Sequence, residues 1–111
     1  MLKTIVKAIN DKKGDNILAI DVSASSPICD YFVICSANNE KQLMAIANSI
    51  DEELSKIGYE IGKIEGKGSK WLIADASSII VHIFEREERE KYNLEKLWSP
   101  FPIIDIEEYL K

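Results

Sequence analysis

The feature that most constrains this chain is one apolar stripe, Leu43, Ile46, Ala47, Ile50, Leu54 and Ile57, closed by Gly58. Its three-and-four spacing is that of one face of an α-helix, and such a helix must bury that face against something. Asn39 stands where an N-cap belongs, and Gln42 follows at the spacing of an amide capping box. Glu40 adds negative charge at the positive end of the helix dipole. Upstream lies Tyr31-Phe32-Val33-Ile34-Cys35, a continuous apolar run too short for a core helix and rich in strand formers. It reads as a central strand shielded on both faces.

The remaining patterns extend this frame. Leu2, Ile5, Val6 and Ile9 predict an N-terminal helix that ends near Lys12-Lys13-Gly14. Asn16 to Val22 predicts a strand, and Ser23 to Pro27 a loop. Tyr59 to Glu65, Trp71 to Asp75 and Ile79 to Phe84 predict three more strands, the last two as a hairpin. Glu85 to Lys91 is too charged for core and predicts a short surface helix, continued or restarted over Asn93 to Trp98. Pro100 and Pro102 then release the chain. The order predicts an α/β fold bordering on α+β, a two-layer domain with a mixed five-stranded sheet and helices mainly on one face. Its 111 residues suffice for one such core without metal or disulfide staples. The expected division is a domain over residues 1–98 and a tail over 99–111. That tail alternates apolar and acidic residues and is expected to lie against the body or a partner.

Charge narrows the partners. Asp and Glu number 19 against 14 Lys and Arg, for a net charge of -5. This balance argues against wrapping a nucleic-acid backbone or reading nucleic-acid sequence directly, and it favours a basic protein partner. No uninterrupted apolar stretch suggests a signal peptide or a membrane span, so no membrane partner and a cytoplasmic location are expected. Cys29 and Cys35 read as small buried hydrophobes of a reducing compartment; their spacing is also compatible with a disulfide.

Catalytic motifs do not assemble. Gly66-Lys67-Gly68-Ser69 lacks the spacing of a phosphate-cradling loop, and a strand rather than a helix follows it. It reads instead as a mobile inter-strand loop. The single histidine, His82, lacks metal-ligand spacing to any cysteine or carboxylate, so neither metal nor cofactor is expected. On a strand it shares its face with Ile80 and Phe84 and reads as a half-buried sheet residue hydrogen-bonded locally. No GxSxG elbow is present. Asp21 and Asp30, at strand ends, are the one pair suited to hold Mg²⁺ with a substrate phosphate, and a Mg-dependent nucleotidyl or phosphoryl transferase is the alternative function. Asp30 reads equally as a turn residue. Glu85 to Lys91 reads first as a solvated helix face with internal charge pairs. Beside it stand Tyr92, Leu94, Leu97 and Trp98, and Trp71 adjoins the polar loop. Large aromatics with a charged rim suit a protein interface; closing a core edge is the alternative for each tryptophan.

Six blocks carry a resemblance. They are Asp21-Val22-Ser23, Asp30 to Ile34, Glu65-Gly66, Trp71 to Asp75, Val81-His82-Ile83-Phe84, and Arg89 to Trp98. In that order, over about Leu2 to Trp98, the chain resembles the ribosomal silencing factors, the Iojap-type proteins. The resemblance implies a nucleotidyltransferase-like fold without that superfamily's catalytic set, hence no enzyme. It implies a translational repressor that binds the large ribosomal subunit through the ribosomal protein numbered fourteen, and so blocks joining with the small subunit. It also implies a homodimer when free. The implied partner-binding residues are Trp71, Asp75, His82, Phe84, Glu85, Glu87, Arg89 and Tyr92. Acidic Asp75, Glu85 and Glu87 would complement a basic protein, with Trp71 and Phe84 as desolvated anchors. One departure stands out: where the family usually has an aromatic and a Gly-Asp-like turn, this chain has Ala76-Ser77-Ser78.

Overall fold

The apolar run at Tyr31 lies inside the sheet, as its lack of polar alternation requires. The computed structural model describes residues 1–25, 27, 29–92 and 101–110. In chain order its elements are α1 (Leu2–Asp11), β1 (Asp15–Asp21), β2 (Tyr31–Ala37), α2 (Glu40–Lys56), β3 (Lys63–Glu65), β4 (Trp71–Ala76), β5 (Ile79–Glu85), α3 (Arg86–Tyr92), β6 (Ile103–Ile104) and a closing 3-10 turn (Glu107–Leu110). The strands form one mixed sheet in the order β3-β4-β5-β2-β1-β6. β2 and β5 run parallel in register from Tyr31↔Ile79 to Ala37↔Glu85, and the other neighbours are antiparallel.

The α/β reading with a mixed sheet holds, with six strands where five were expected. The sixth comes from the tail: Ala19 pairs with Ile104 and Ile20 with Ile103. The Asp21 N–H donates to the Pro102 carbonyl at 2.9 Å. A two-residue strand between prolines and acidic residues is too short to show a period of two. The expected third strand is cut to Lys63–Glu65. Ahead of it Gly58 closes α2 at φ 87, and Tyr59 stands 45% exposed with no face to bury. The expected helix over Asn93–Trp98, the release at Pro100 and the interface role of Trp98 lie outside the described residues.

Side chains divide cleanly between the two faces of the sheet. On one, Ala19, Val33, Cys35, Leu72, Ala74, Val81 and Ile83 pack with Ile5 and Ile9 of α1 and with Leu43, Ile46, Ala47, Ile50 and Leu54 of α2. Each large side chain buried there contributes roughly 1.5–3 kcal/mol. On the other, Ile20, Val22, Cys29, Ile34 and Phe84 form a second cluster, joined at its margin by Phe32, Trp71, Ile80 and Phe101. Cys29 and Cys35 are buried and form no disulfide, and complete burial pushes the Cys35 thiol up to about 12.

The helix ends follow local chemistry. Asn39 Oδ1 accepts from the Gln42 N–H at 2.9 Å. The Gln42 side chain does more than close a capping box: Oε1 accepts from Asn38 N–H at 2.6 Å, and Nε2 donates to the carbonyls of Lys12 and Lys13 at 3.1 and 3.0 Å. It thereby ties the start of α2 to the end of α1. At the far end Tyr59 N–H reaches the Leu54 carbonyl and Gly58 N–H the Ser55 carbonyl, a Schellman closure. Ile57, last of the stripe, falls beyond the helix and is half-exposed.

Candidate docking surface

Strand alternation places Trp71, Ile73 and Asp75 of β4 beside Ile80, His82 and Phe84 of β5, on the face away from α1 and α2. In register, Trp71 stands opposite Phe84, Ile73 opposite His82 and Asp75 opposite Ile80. The aromatic rings interlock. Trp71 stacks on Phe84 at 4.7 Å between centroids, and Phe32 meets His82 edge-on at 5.3 Å. The Trp71 Nε1–H donates to His82 Nδ1 at 3.2 Å. His82 therefore accepts through Nδ1, and its neutral ring carries the proton on Nε2. Burial drives its pKa down to about 4, so the ring is neutral at pH 7.

The glycine loop supports this cluster from one end. Gly66 turns at φ 89, and a Cβ there would stand 2.1 Å from the Trp71 carbonyl oxygen. Ser69 Oγ donates to the Gly66 carbonyl at 2.6 Å and accepts from the Trp71 N–H at 3.3 Å. The loop expected to be mobile is folded onto itself and onto the strand it feeds. Its glycine serves close backbone approach. At the other end, Ser77-Ser78 forms a two-residue turn with Ser77 at φ 63. The Ser78 carbonyl accepts from Asp30 and Tyr31 N–H at 2.7 and 3.2 Å, so the turn is stitched to the start of β2. Ala76 faces the helix-covered core, where it is buried.

The residues singled out from sequence separate into three groups. Trp71, Asp75, Glu85 and Glu87 reach solvent. His82, Phe84 and Arg89 are interior, at 8%, 0% and 8% exposure. Tyr92 ends α3, and its side chain lies outside the described residues. Asp75 belongs to the turn end of the hairpin, about 13 Å along the strand from Trp71 at ordinary strand rise. Glu85 and Glu87 lie at the Trp71 end, where the Glu85 N–H donates to the Lys70 carbonyl at 2.8 Å. The arginines of α3, expected to pair along the helix, reach across to the sheet. Arg86 Nη1 meets Asp15 Oδ2 at 2.6 Å, and Arg89 Nη1 donates to the Asn16 carbonyl at 2.6 Å and to Ser36 Oγ at 2.9 Å.

Two shallow hollows flank Ile73. One, of about 360 Å³, is lined by Trp71, Ile73, Glu65, Lys70 and Glu88. The other, of about 190 Å³, is lined by Lys63, Glu65, Ile73, Asp75 and Ile80. Ile73, Ile80 and Glu88 were not singled out from sequence. The two isoleucines share strand parity with Trp71 and His82, a signal that would have found them; Glu88 had none beyond its helix.

Asp21 is engaged by its own loop. Its Oδ1 accepts from both the N–H and the Oγ of Ser23, at 3.0 and 2.6 Å, which holds its pKa below the usual carboxylate range. Among the described residues no group of three or more His, Cys, Asp or Glu could hold a metal ion. No helix among them is long and apolar enough to cross a membrane.

Fold and surface define a small α/β domain with a packed aromatic cluster on the sheet face away from α1 and α2 and charged groups of β4, β5 and α3 around it. The whole chain, residues 1–111, matches the model of the family described as RsfS, ribosomal silencing factor during starvation. The ribosomal silencing factor RsfS of Bacillus subtilis (strain 168) is 39% identical over 108 residues, spanning 96% of this chain and 92% of that protein. A crystal structure of a Bacillus halodurans protein superposes with a TM-score of 0.81 at 37% identity, over 94% of this chain and 95% of that one. A Chromobacterium violaceum crystal structure gives 0.83 at 28% identity, over 88% and 82%. The chain belongs to the ribosomal silencing factor family. The family match includes the tail, which the sequence resemblance had stopped short of.

Proposed function

We propose that this chain is a non-enzymatic translational repressor. It binds the large ribosomal subunit through the ribosomal protein numbered fourteen and sterically blocks joining with the small subunit. The observation that carries this reading is the full-length match to the silencing-factor family. Exposed apolar and aromatic groups beside carboxylates suit a basic protein surface, with burial supplying affinity and charge supplying orientation. In this reading Trp71, Asp75, Glu85 and Glu87 make contact, while Phe84, His82 and Arg89 hold them from behind. Tyr92 is a further contact in this reading, taken from the family resemblance alone. Residues 1–98 carry the docking unit and 99–111 its tail. The protein works in the cytoplasm and is a homodimer when free. The nucleotidyltransferase-like description of the fold belongs to the same proposal, and the mixed sheet is compatible with it.

Co-sedimentation with purified large subunits tests it. The unaltered chain is expected to travel with the subunit, and Trp71→Ala or Glu87→Lys to weaken binding about tenfold or more, as loss of an interface anchor does, with an unchanged circular dichroism spectrum. Absence of binding by the unaltered chain would overturn the function. Undiminished binding by both variants would overturn this assignment of the contact.

A further inference from the structure

A helix of seven residues cannot hold its shape in water unaided, so what α3 packs against decides where it points. Arg86 and Arg89 lie one turn apart on one face of it. Arg86 pairs with Asp15 through Nη1 and donates to Asn38 Oδ1 through Nη2 at 2.8 Å. Arg89 donates to the Asn16 carbonyl and to Ser36 Oγ. These acceptors come from the start of β1, the end of β2 and the segment leading into α2. The β1 acceptor depends on an irregularity: pairing with β2 shifts between Asp15 and Leu18, and Asn16 takes φ 48. A bulged residue drops out of the ladder, which leaves its carbonyl for another donor. On the opposite face of α3, Glu87 is exposed and Glu88 lines the hollow it shares with Trp71.

We propose that Arg89, seconded by Arg86, is a positioning residue. By clamping α3 to the β1 bulge and to β2, it holds Glu87 and Glu88 beside Trp71, so that carboxylates and indole meet a basic partner surface as one preformed unit. This rests on the large-subunit reading. Preorganisation of this kind strengthens binding by removing the ordering cost of the arm. It also gives Arg89, at 8% exposure, a role other than direct contact.

The test combines binding with a readout on the free protein. Arg89→Gln is expected to weaken large-subunit binding about tenfold, a usual scale for one lost charge-assisted contact network. In the free protein, the Cα secondary chemical shifts over residues 86–92 fall to about half their helical values, as expected of a short helix without its anchor, while those over 71–76 stay put. Ser36→Ala, which removes a single acceptor, gives a smaller effect of the same kind, and Arg89→Lys restores part of the binding. In a background of Glu87→Gln with Glu88→Gln, Arg89→Gln costs nothing more, because both changes act through one unit. Unchanged shifts over 86–92, or losses that simply add, overturn the proposal. If the unaltered chain fails to bind large subunits, the functional reading falls, and the chemical shifts still decide whether Arg89 holds α3.

Discussion

Trp71, on the sheet face away from α1 and α2, is held through its indole N–H by His82, in the interior, across 3.2 Å. The bond spans the β4–β5 hairpin and joins the part of the surface that meets solvent to the part that does not. With Phe84 stacked beneath the indole, the rotamer of Trp71 is set from two directions. A large aromatic held in this way loses little freedom when it is covered.

The burial of His82 makes the fold sensitive to acid. His82 is neutral in the folded state with a pKa lowered to about 4, against an ordinary value near 6.5. Its contribution is therefore fully present above about pH 6.5 and is lost as pH falls toward 4, where charging must occur inside an apolar cluster. The loss amounts to roughly 3 kcal/mol over that window. Urea unfolding at a series of pH values is expected to show this decline in the natural sequence and a flatter profile in His82→Gln.

Phe84 and Trp71 are expected to separate stability from surface. Phe84→Ala empties a fully buried position and should cost about 3–5 kcal/mol. Trp71→Ala removes a half-exposed ring and should cost about 1–2 kcal/mol, mainly its stacking and partial burial. Unfolding midpoints measured side by side distinguish the two; equal losses would contradict the assignment of Phe84 to the interior and Trp71 to the rim.

The turn at Ser77 holds a non-glycine residue at φ 63. Glycine accepts that backbone without the Cβ clash, so Ser77→Gly should gain about 0.5–1 kcal/mol. Thermal unfolding reads the gain directly, as a rise in Tm.

Gly66 is expected to be intolerant. Its φ of 89 and the 2.1 Å approach of a Cβ to the Trp71 carbonyl both oppose a side chain. Gly66→Ala should destabilise by about 1–3 kcal/mol, through strain and backbone displacement. Gly68, at φ 84 with no atom within 4 Å of a built Cβ, should suffer less. Chemical denaturation of the two variants tests the ordering.

Removing the chain after Trp98 deletes the strand beside β1. Ile104 and Ile106 pack against the helix-side core, and Phe101 packs on the opposite cluster. Truncation should therefore lower stability by several kcal/mol, as loss of buried apolar area requires. Denaturant titration would show an unchanged midpoint if the tail were only an appendage.

Much of the fold was legible because it is local. The α2 stripe, its Asn39 cap and the apolar β2 run each follow from spacing within a dozen residues, and the β4–β5 hairpin from two strands and a short turn. The sheet face away from α1 and α2 could also be read by counting alternate residues from Trp71 and His82. The surface residues were picked through family resemblance, and that route could not separate contact from support. Burial is a property of everything packed around a residue, so Phe84 and Arg89 looked as available as Glu87.

By itself, then, the sequence determined two helices with one apolar face each, a sheet to receive them, and a chain without assembled catalytic motifs. Its blocks also marked the family. Only the tertiary structure decided that the tail adds a sixth strand, that Gln42 ties α2 to α1, and that the α3 arginines reach for Asp15, Asn16 and Ser36. The reason is distance along the chain. Periodicity and caps report neighbours within one element, whereas Arg89 and Asn16 lie 73 residues apart and meet only because a bulge in β1 leaves a carbonyl where α3 lands.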